Sequence, residues 1–298
     1  MITKIILNNL YGRKEINVSV SQKLFDYKAT FSELEELRDI IEIIKSIQNV
    51  FKNEINIKIP SQYYSFSGSK ESSIEIQMIW NEKTYTYLLV FVDSTICMET
   101  LLEGKSWIFS KLIDNPDFAF NPSYLNEKGK KFYEIYKKVP SISLLFCFNP
   151  GEELLNEIKN IIIIDDWWNI PCHQEFVKRF ETTFPDLSYN KLINEMINKF
   201  GFSSEYKKLN EDNKSLLLSS IKSDITINIL DSGSGFVWLS RIYPLMVASK
   251  KENLLMISSI PYDFHLHPIL GKKLMTWFLE DNNNLIIGKL SNILLKNI

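Results

Sequence analysis

The stretch ENLLMISSIPYDFHLHPILGKKL, residues 252–274, decides the fold class of this chain. Its apolar run LLMI predicts a short strand, and the apolar spacing after Pro268 predicts a helix that this proline begins. A short loop ending in HLHP joins the two elements. No carboxylate ends the strand, because the run continues as Ser258–Ser259 and Ile260–Pro261. The stretch therefore predicts a strand, a turn and a helix of an α/β protein, with uncharged residues at the end of the strand.

The segments on both sides continue this alternation of helix and strand. WLSRIYPLMVASK (238–250) predicts a helix before the stretch, and NLIIGKL (284–290) predicts a strand after it. The front of the chain opens with the strand pattern ITKIILNNL (2–10), followed by a second one, INVSVSQKLF (16–25). Residues 32–51 then carry apolar side chains at helical spacing.

The middle of the chain is predicted to hold a group of strands and then a helical region. An antiparallel group is predicted from the alternation in INIKIP (55–60), SIEIQMIW (73–80) and TYTYLLVFV (84–92). Residues 106–225 are predicted to be mostly helical, and DITINILD (224–231) returns to a strand. The chain is thus expected to form one discontinuous α/β domain over 1–298. Its parts are a strand, helix and β lobe (1–105), a helical insertion (106–223) and a C-terminal α/β lobe (224–298).

Composition excludes several classes of protein. Hydrophobic residues make up 45% of the 298, with only 10 Gly and 10 Pro, so the chain can fill a core. A net charge of -2 gives no electrostatic signal for nucleic acid. Cys97, Cys147 and Cys172 form no CxxC pair, so neither a disulfide scaffold nor structural zinc is predicted. No apolar run approaches the roughly 20 residues of a membrane span, and the start MITKIILNNL lacks a signal sequence, so we expect a cytoplasmic protein.

Four segments in order resemble the C-terminal lobe of ABC-type ATPase heads of the OLD and SMC-like group, often labelled AAA-family ATPases in bacterial defence systems. They are DSGSGFVWLSRIYPLM (231–246), LLMISSIPYDFHLHP (254–268), the helix from Pro268, and LIIGKLSNILLKNI (285–298). The family has a Ser-Gly signature opening a helix, a strand ending in two acids, a loop ending Leu-His-Pro, a helix, and a strand ending Thr-His-Ser. The resemblance implies an α/β fold: a P-loop NTPase-like ABC ATPase head with an antiparallel β lobe and a helical insertion.

The phosphate-binding loop that this resemblance implies lacks its chemistry here. The family places the loop, Walker A, between the second strand and the first helix, where glycines let backbone N–H groups face the phosphates. The corresponding interval, KLFDYKATFSELEEL (23–37), contains no glycine. Lys28 lies nearby but outside a GK[ST] setting, and we interpret it as a solvated loop lysine. Without glycine the loop cannot readily adopt the conformations of a phosphate cradle.

The metal-binding and switch positions have also lost their groups. Counted back from HLHP without a gap, Ile260–Pro261 occupy the two acidic Walker B positions; with a bulge of one residue, Ser258–Ser259 do. Leu290 stands where the resemblance implies a switch histidine. Asp263 survives in the loop beyond the strand, where family members often have an acid that contacts the dimer partner. We therefore expect no catalytic residue, and no metal or nucleotide bound by this chain alone.

The signature-like segment keeps its polar groups. Ser234 and Gly235 open a predicted helix and can offer a hydroxyl and backbone N–H groups to an anion. In ABC heads this motif closes over the nucleotide of the facing subunit, so the resemblance implies contact with ATP and magnesium only through a partner. The alternative is a flexible turn with a helix cap. The resemblance also implies that Asp263 and His267 lie at a partner interface, with His267 hydrogen-bonded to the backbone.

Two other groups of residues suggest chemistry. IIIIDDWWN (161–169) looks like a strand ending in two acids, Asp165 and Asp166, but it lies in the predicted helical middle. We interpret it as the edge of a strand or helix followed by a solvated acidic turn. His265 and His267 alternate and could flank a metal, but only Asp263 joins them, so a zinc hydrolase is not favoured.

Three functions remain open from the sequence. The first is a catalytically inactive ATPase-like subunit that assembles with an active ABC-type ATPase, an effector or a second copy of itself, in bacterial anti-phage defence. The second is a divergent or nuclease-associated ATPase that uses the displaced residues Lys28, Asp165 and Asp263. The third is an antitoxin-like or sensor module that binds a protein, with nucleic acid only as part of a complex.

Overall fold

The structure, a computed structural model, describes most of the chain. The described residues are 1–10, 13–20, 24–26, 31–52, 71–92, 95–112, 120–136, 139, 143–168, 170–202, 206–212, 215–220, 226–229, 233–259, 266–280 and 285–289. The chain divides into two compact units. Unit 1 comprises residues 1–23 and 35–161, and unit 2 comprises residues 24–34 and 162–298.

Unit 1 contains a six-stranded antiparallel sheet. Its strands are β1 (Ile2–Leu10), β2 (Arg13–Ser19), β4 (Glu71–Trp80), β5 (Lys83–Val92), β6 (Thr95–Glu103) and β7 (Ser106–Leu112), in the spatial order β2-β1-β4-β5-β6-β7. On β4, buried Ile74, Ile76 and Met78 alternate with more exposed residues. Ile76 lies opposite Ile5 on one side and Tyr87 on the other, so one face of the sheet is buried. The predicted antiparallel group is confirmed for β4 and β5, whereas INIKIP lies outside the described residues.

Helices complete unit 1. They are α1 (Phe31–Lys52), which begins in unit 2, α2 (Glu127–Tyr136) and α3 (Asn149–Lys159), with short 3-10 turns at Pro122–Tyr124 and Leu145–Cys147. The amide of Gln48 on α1 donates to the carbonyls of Ile158 and Ile161 at 2.9 and 2.8 Å. α3 lies against β1 and β4. The helix predicted over residues 32–51 is therefore confirmed and is tied to the C-terminal end of α3.

A buried carboxyl group joins two strands of this sheet to the chain that precedes the second 3-10 turn. Glu99 on β6 is 2% exposed and accepts hydrogen bonds from the hydroxyls of Tyr87 (3.1 Å) and Ser143, and from the Leu144 amide (3.0 Å). Burial raises the pKa of the Glu99 carboxyl, because the charged form loses its hydration. The group ties residues 143–144 to β5 and β6.

Unit 2 contains two further sheets. The first is parallel and comprises, in spatial order, β3 (Leu24–Asp26), β13 (Leu285–Lys289), β12 (Met256–Ser258) and β8 (Ile162–Ile163). The second is antiparallel, with the order β11 (Thr226–Asn228), β10 (Ser215–Ser220) and β9 (Tyr206–Asp212). The helices are α4 (Asp165–Trp168), α5 (His173–Thr183), α6 (Tyr189–Lys199), α7 (Ser234–Lys251) and α8 (Pro268–Glu280). One apolar cluster packs α5, α6, α7, α8 and β12 together.

The structure corrects the prediction for residues 106–223. Helices α2 to α6 lie there, but so do β7, β8, β9 and β10. The segment SWIFSKL is a strand because Gly104, at φ +57°, turns the chain so that Phe109 pairs with Leu101 on β6. Short apolar runs of this kind fit a buried helix turn or a strand equally well, and the pairing partner decides. The domain boundaries at 105 and 223 stay a prediction.

The second predicted strand is also divided. INVSVSQKLF contributes to β2 in unit 1 and to β3 in unit 2, which belong to different sheets. The mixed α/β class and the antiparallel lobe are confirmed. α7, β12, α8 and β13 follow one another in the predicted order.

Candidate functional site

The carboxyl ends of four strands meet at one edge of the parallel sheet. β12 pairs with β13 and with β8, and β13 pairs with β3, all in parallel. Ser258 ends β12 opposite Ile287, and Asp26 ends β3 opposite Lys289. Ligands of open α/β sheets bind outside the carboxyl ends of the strands. This edge is therefore where a ligand of such a sheet would bind, and the described ends of β3, β12 and β13 lie along it.

A serine pair ends β12. Ser258 is the last residue of the strand and Ser259 follows it directly; both are buried, at 0% and 6% exposure. These are the two residues of the bulged register. Ile260–Pro261, the residues of the register without a gap, lie outside the described residues, so the choice between the two registers stays a prediction. The β12 strand stops in two small hydroxyls at the position where the resemblance implies two carboxylates.

The carboxylate of Asp165 accepts hydrogen bonds from both of these serines. Its Oδ1 accepts from the Ser258 hydroxyl at 2.7 Å and from the Ser259 amide at 3.0 Å. Its Oδ2 accepts from the Ser259 hydroxyl at 2.5 Å and from the same amide at 3.2 Å. Asp165 stands just past β8, and the Ile164 amide between them continues the pairing by donating to the Ile257 carbonyl at 2.9 Å. We call Asp165, Ser258 and Ser259 the Asp165 cluster.

The structure corrects our interpretation of the acidic pair. The apolar run before it does form a strand edge, as predicted. Asp165 is not part of a solvated turn, however, because two hydroxyls and an amide bind it, whereas Asp166 is exposed. The signal was present in the sequence, since IIIIDD is an apolar run ending in acids. The run lies between predicted helices, however, and this position favours an exposed acidic turn over a site residue.

An indole pair connects the Asp165 cluster to α7. The Trp168 Nε1 lies 3.4 Å from the Ser258 hydroxyl oxygen, to which it donates. The Trp168 ring stacks on Trp238 of α7 with centroids 4.1 Å apart and an interplanar angle of 23°. α7 is the helix opened by the signature-like segment. The structure thus brings this helix and the end of β12 into one neighbourhood within unit 2.

Arg241 holds this arrangement together, and sequence reasoning missed it. Its guanidinium donates to the carbonyls of Trp168 at 3.3 Å and Ile170 at 3.2 Å, and it lies 5.4 Å from the Phe176 ring centroid. These bonds fasten the chain after α4 to α7. A single arginine in an apolar helix is a weak sequence signal, because its partners are backbone carbonyls that no motif identifies.

A second buried polar chain fixes α5 and α6 to α7. The Tyr189 hydroxyl donates to the Ser240 carbonyl at 3.0 Å and lies 2.8 Å from His173 Nε2. Because that hydroxyl proton points to the carbonyl, Nε2 must carry the hydrogen that the Tyr189 oxygen accepts. Burial, together with the nearby Arg241 guanidinium, lowers the pKa of His173 to about 4. His173 is therefore a neutral core histidine at physiological pH.

The N-terminus of α7 is built on a glycine. Gly233 occupies the N-cap with φ +98° and ψ 146°, a conformation that L side chains rarely adopt. Its carbonyl accepts from the amides of Phe236 and Val237, both at 3.1 Å. Ser234 is the first helical residue and is exposed, and Gly235 follows it partly buried. Both predicted signature residues thus stand in the first turn; a role in nucleotide contact stays a prediction.

His267 precedes α8 and caps it. Its ring Nδ1 accepts the Ile269 amide hydrogen at 3.4 Å, and its carbonyl accepts from Gly271 at 2.9 Å. The side chain is exposed. Asp263, predicted to share a partner interface with it, lies outside the described residues, as do Lys28, His265 and Leu290. The interface role of Asp263 and His267 therefore stays a prediction.

The described residues of the Asp165 cluster are arranged as hydrogen-bond partners of one another and do not present a set of magnesium ligands. Magnesium takes carboxylate oxygens in octahedral geometry and shares them with phosphates and water. The Asp165 carboxylate instead faces the hydrogens of two hydroxyls and an amide, with which a cation would have to compete. Within the described ranges, no group of three or more His, Cys, Asp and Glu side chains could hold a metal ion. None of the helices in the described part of the chain has the length and apolarity of a membrane span.

Comparison with known proteins gives similarity of fold only. The chain is similar to the SMC head domain from Thermotoga maritima, with 10% identity and a TM-score of 0.49, over 99% of this chain and 91% of that one. It is similar to an SMC head bound to the C-winged helix domain of ScpA, with 14% identity, a TM-score of 0.49 and the same coverage. A third is an SMC head with an extended coiled coil bound to the C-terminal domain of ScpA, derived from Pyrococcus furiosus, with 12% identity, a TM-score of 0.44 and again 99% and 91% coverage. No protein-family model and no curated protein matches the chain.

Proposed function

We propose that this chain is a catalytically inactive ABC-type ATPase-like subunit that assembles with a protein partner, either an active ABC-type ATPase or an effector. The observation that carries the proposal is the Asp165 cluster. It occupies the carboxyl end of β12 with internal hydrogen bonds, at the position where the resemblance implies a metal-binding Asp and a catalytic Glu. The resemblance places such subunits in bacterial anti-phage defence, and we propose that setting for this chain.

The sequence supports the same conclusion at β3, which lies two strands away from β12 in the same sheet. β3 ends at Asp26, and the interval from there to α1 contains no glycine. A chain without glycine at this point cannot readily turn several successive N–H groups towards a phosphate. Under the resemblance to ABC heads, the sequence thus lacks both the glycine-rich loop expected after β3 and the acidic pair expected at the end of β12, and this supports the proposal.

The exposed start of α7 gives this subunit a way to act on a partner. Ser234 is exposed and Gly235 is partly exposed at the start of an 18-residue helix. A helix N-terminus attracts anions, because its free N–H groups and dipole favour negative charge. In the proposed assembly, this turn covers a nucleotide that the partner's own phosphate loop holds. The subunit then completes a composite site without binding ATP itself.

The proposal is tested by calorimetric titration of the purified chain with Mg-ATP. We expect no binding in the micromolar range and no turnover above buffer. The second measurement is capture of partners with the wild-type chain and with a Ser234→Arg variant, followed by mass spectrometry. A partner with an intact GK[ST] loop whose ATPase activity responds to the wild-type chain but not to the variant supports the proposal. Lys178→Glu, on an exposed face of α5, is the matched control.

A divergent ATPase is the second candidate, and the position of Asp165 favours it. The carboxylate lies one strand away from the expected acidic position, at the same edge of the sheet. In this reading Asp165 would exchange its serine partners for a metal ion. The purified chain would then turn over ATP, and Asp165→Asn would abolish turnover while Asp166→Asn would leave it unchanged. Turnover that survives Asp165→Asn, or no turnover at all, excludes this candidate.

A further inference from the structure

We propose that the outer face of α8, together with the end of α6, binds an acidic segment of a partner protein through an apolar anchor side chain. This surface lies outside the Asp165 cluster and involves none of its residues. The inference goes beyond the proposed function, because it requires neither a nucleotide nor an inactive ATPase. We call the surface the α8 face and define it by Ile269, Lys272, Lys273, Thr276 and Trp277 together with Lys199.

The α8 face follows from the helical repeat. Leu274 and Phe278 point into the core of unit 2 and are 0% and 2% exposed. Positions 269, 272, 273, 276 and 277 fall at spacings of three and four residues, which places them along one side of the helix. Ile269 is 63% exposed, the highest value among the large exposed hydrophobic residues of the described chain. An isoleucine on a lysine-rich helix face has no role in the core.

The α8 face borders a cleft of about 490 Å³. Its other wall is the end of α6, where Lys199 places its ammonium 4.0 Å from the Trp277 ring centroid. Trp277 also stacks on Tyr243 with centroids 4.9 Å apart and meets Phe200 edge-on at 6.4 Å. The indole is therefore held by its neighbours before any partner arrives, which lowers the entropic cost of binding.

The charged side chains around the cleft indicate which kind of partner it binds. Three lysines line the cleft, Lys199, Lys272 and Lys273, against one acid, Glu280. This local excess of positive charge on a chain of net charge -2 favours a partner that presents carboxylates. The apolar surfaces of Ile269 and Trp277 line the same cleft as these charges and suit an aliphatic or aromatic anchor. The combination describes an acidic peptide segment with a buried apolar side chain.

The same geometry disfavours single-stranded nucleic acid. Proteins that bind it without sequence preference offer aromatic faces on which bases stack. The Trp277 ring already stacks on Tyr243 and already carries the Lys199 ammonium, so little of its face remains for a base. Glu280 would also repel phosphate at one end of the cleft. An acidic peptide fits both the ring and the charges.

The test is selection of a random twelve-residue peptide library on the full-length chain. We expect the enriched peptides to combine Asp or Glu with Leu, Ile, Phe or Trp. Their binding should weaken by about tenfold or more in the double variant Lys272→Glu, Lys273→Glu, and should weaken with added salt. Ile269→Ser should weaken binding at any salt concentration. Lys178→Glu changes an exposed lysine on α5 that does not line the cleft, and it should leave binding unchanged.

Three results of the selection would overturn the inference. They are a selection that yields no binder, enriched peptides that are basic or uncharged, and acidic binders whose affinity the double variant leaves unchanged. A fluorescent poly-U oligonucleotide titrated in parallel tests the nucleic-acid alternative, and tighter binding of this probe than of the peptides would also overturn the proposal. Lys272 and Lys273 are exposed, so the variants should fold, and circular dichroism checks this. Mg-ATP titration is unaffected by these changes, which keeps this test separate from that of the proposed function.

Discussion

Replacing Asp165 by alanine tests whether the hydrogen bonds of the Asp165 cluster stabilise the folded chain. The change leaves three donors without their acceptor: the Ser258 hydroxyl, the Ser259 hydroxyl and the Ser259 amide. Both serines are buried, so water does not readily replace the carboxylate. The hydroxyls can rotate towards other acceptors, but the amide cannot. We therefore count the amide fully and the hydroxyls in part.

The expected loss of stability is about 3 kcal/mol. A buried donor without a partner costs about 1–3 kcal/mol, and a hydrogen bond to a charged group contributes about 1.5–3 kcal/mol. Asp165→Asn keeps one acceptor oxygen and should lose roughly half as much. Asp166→Ala removes an exposed carboxylate one residue away and should change stability by about 0.5 kcal/mol or less.

Urea unfolding followed by tryptophan fluorescence measures these differences, because Trp167 and Trp168 adjoin Asp165 in α4. The midpoints should fall in the order wild type, Asp165→Asn, Asp165→Ala, with the slope of the free energy against urea unchanged. If Asp165→Ala unfolds at the same urea concentration as Asp166→Ala, the carboxylate does not hold the end of β12. The hydrogen bonds of Asp165 would then not support the conclusion that the Asp165 cluster occupies the end of β12.

Three further changes test separate parts of the account. Gly233→Ala should destabilise the chain by roughly 1–3 kcal/mol, because alanine does not fit φ +98°, whereas Ser234→Ala should be nearly neutral; thermal unfolding compares the two. The folded-state pKa of His173 is about 4, below its unfolded value. The free energy of unfolding should therefore fall by about 3 kcal/mol as the pH drops from 6.5 towards 4. The His173→Gln variant should not show this loss. Glu99 has a raised pKa, so its contribution has the opposite sign: the stability of the wild type relative to Glu99→Gln should fall as pH rises from 4 to 7 in urea titrations.

The elements with strong periodicity could be predicted from the sequence. α1, β4, β5, α7 and α8 were predicted because each carries an uninterrupted apolar pattern longer than a single turn. The end of β12 near Ser258 could also be predicted, because the apolar run LLMI ends just before the two serines. These features depend on residues close together in the sequence, so the sequence pattern alone predicts them.

The Asp165 cluster could not be predicted, because it depends on which strands become neighbours. β8 contains two residues and becomes a strand only by pairing with β12, about ninety positions further on. No local pattern specifies that distance. The same holds for Arg241, whose partners are the carbonyls of Trp168 and Ile170. Only the long-range pairing of β8 with β12 brings Asp165 next to Ser258 and Ser259.

The central claim is that the carboxyl edge of this parallel sheet is closed by its own side chains and holds no nucleotide. A crystal structure of the full chain grown with millimolar magnesium and a non-hydrolysable ATP analogue tests this most directly. The account predicts that Asp165 still binds Ser258 and Ser259 and that no triphosphate density appears beyond β3 and β12. A magnesium ion bound to Asp165, with phosphates against residues 24–32 of the same chain, would contradict it.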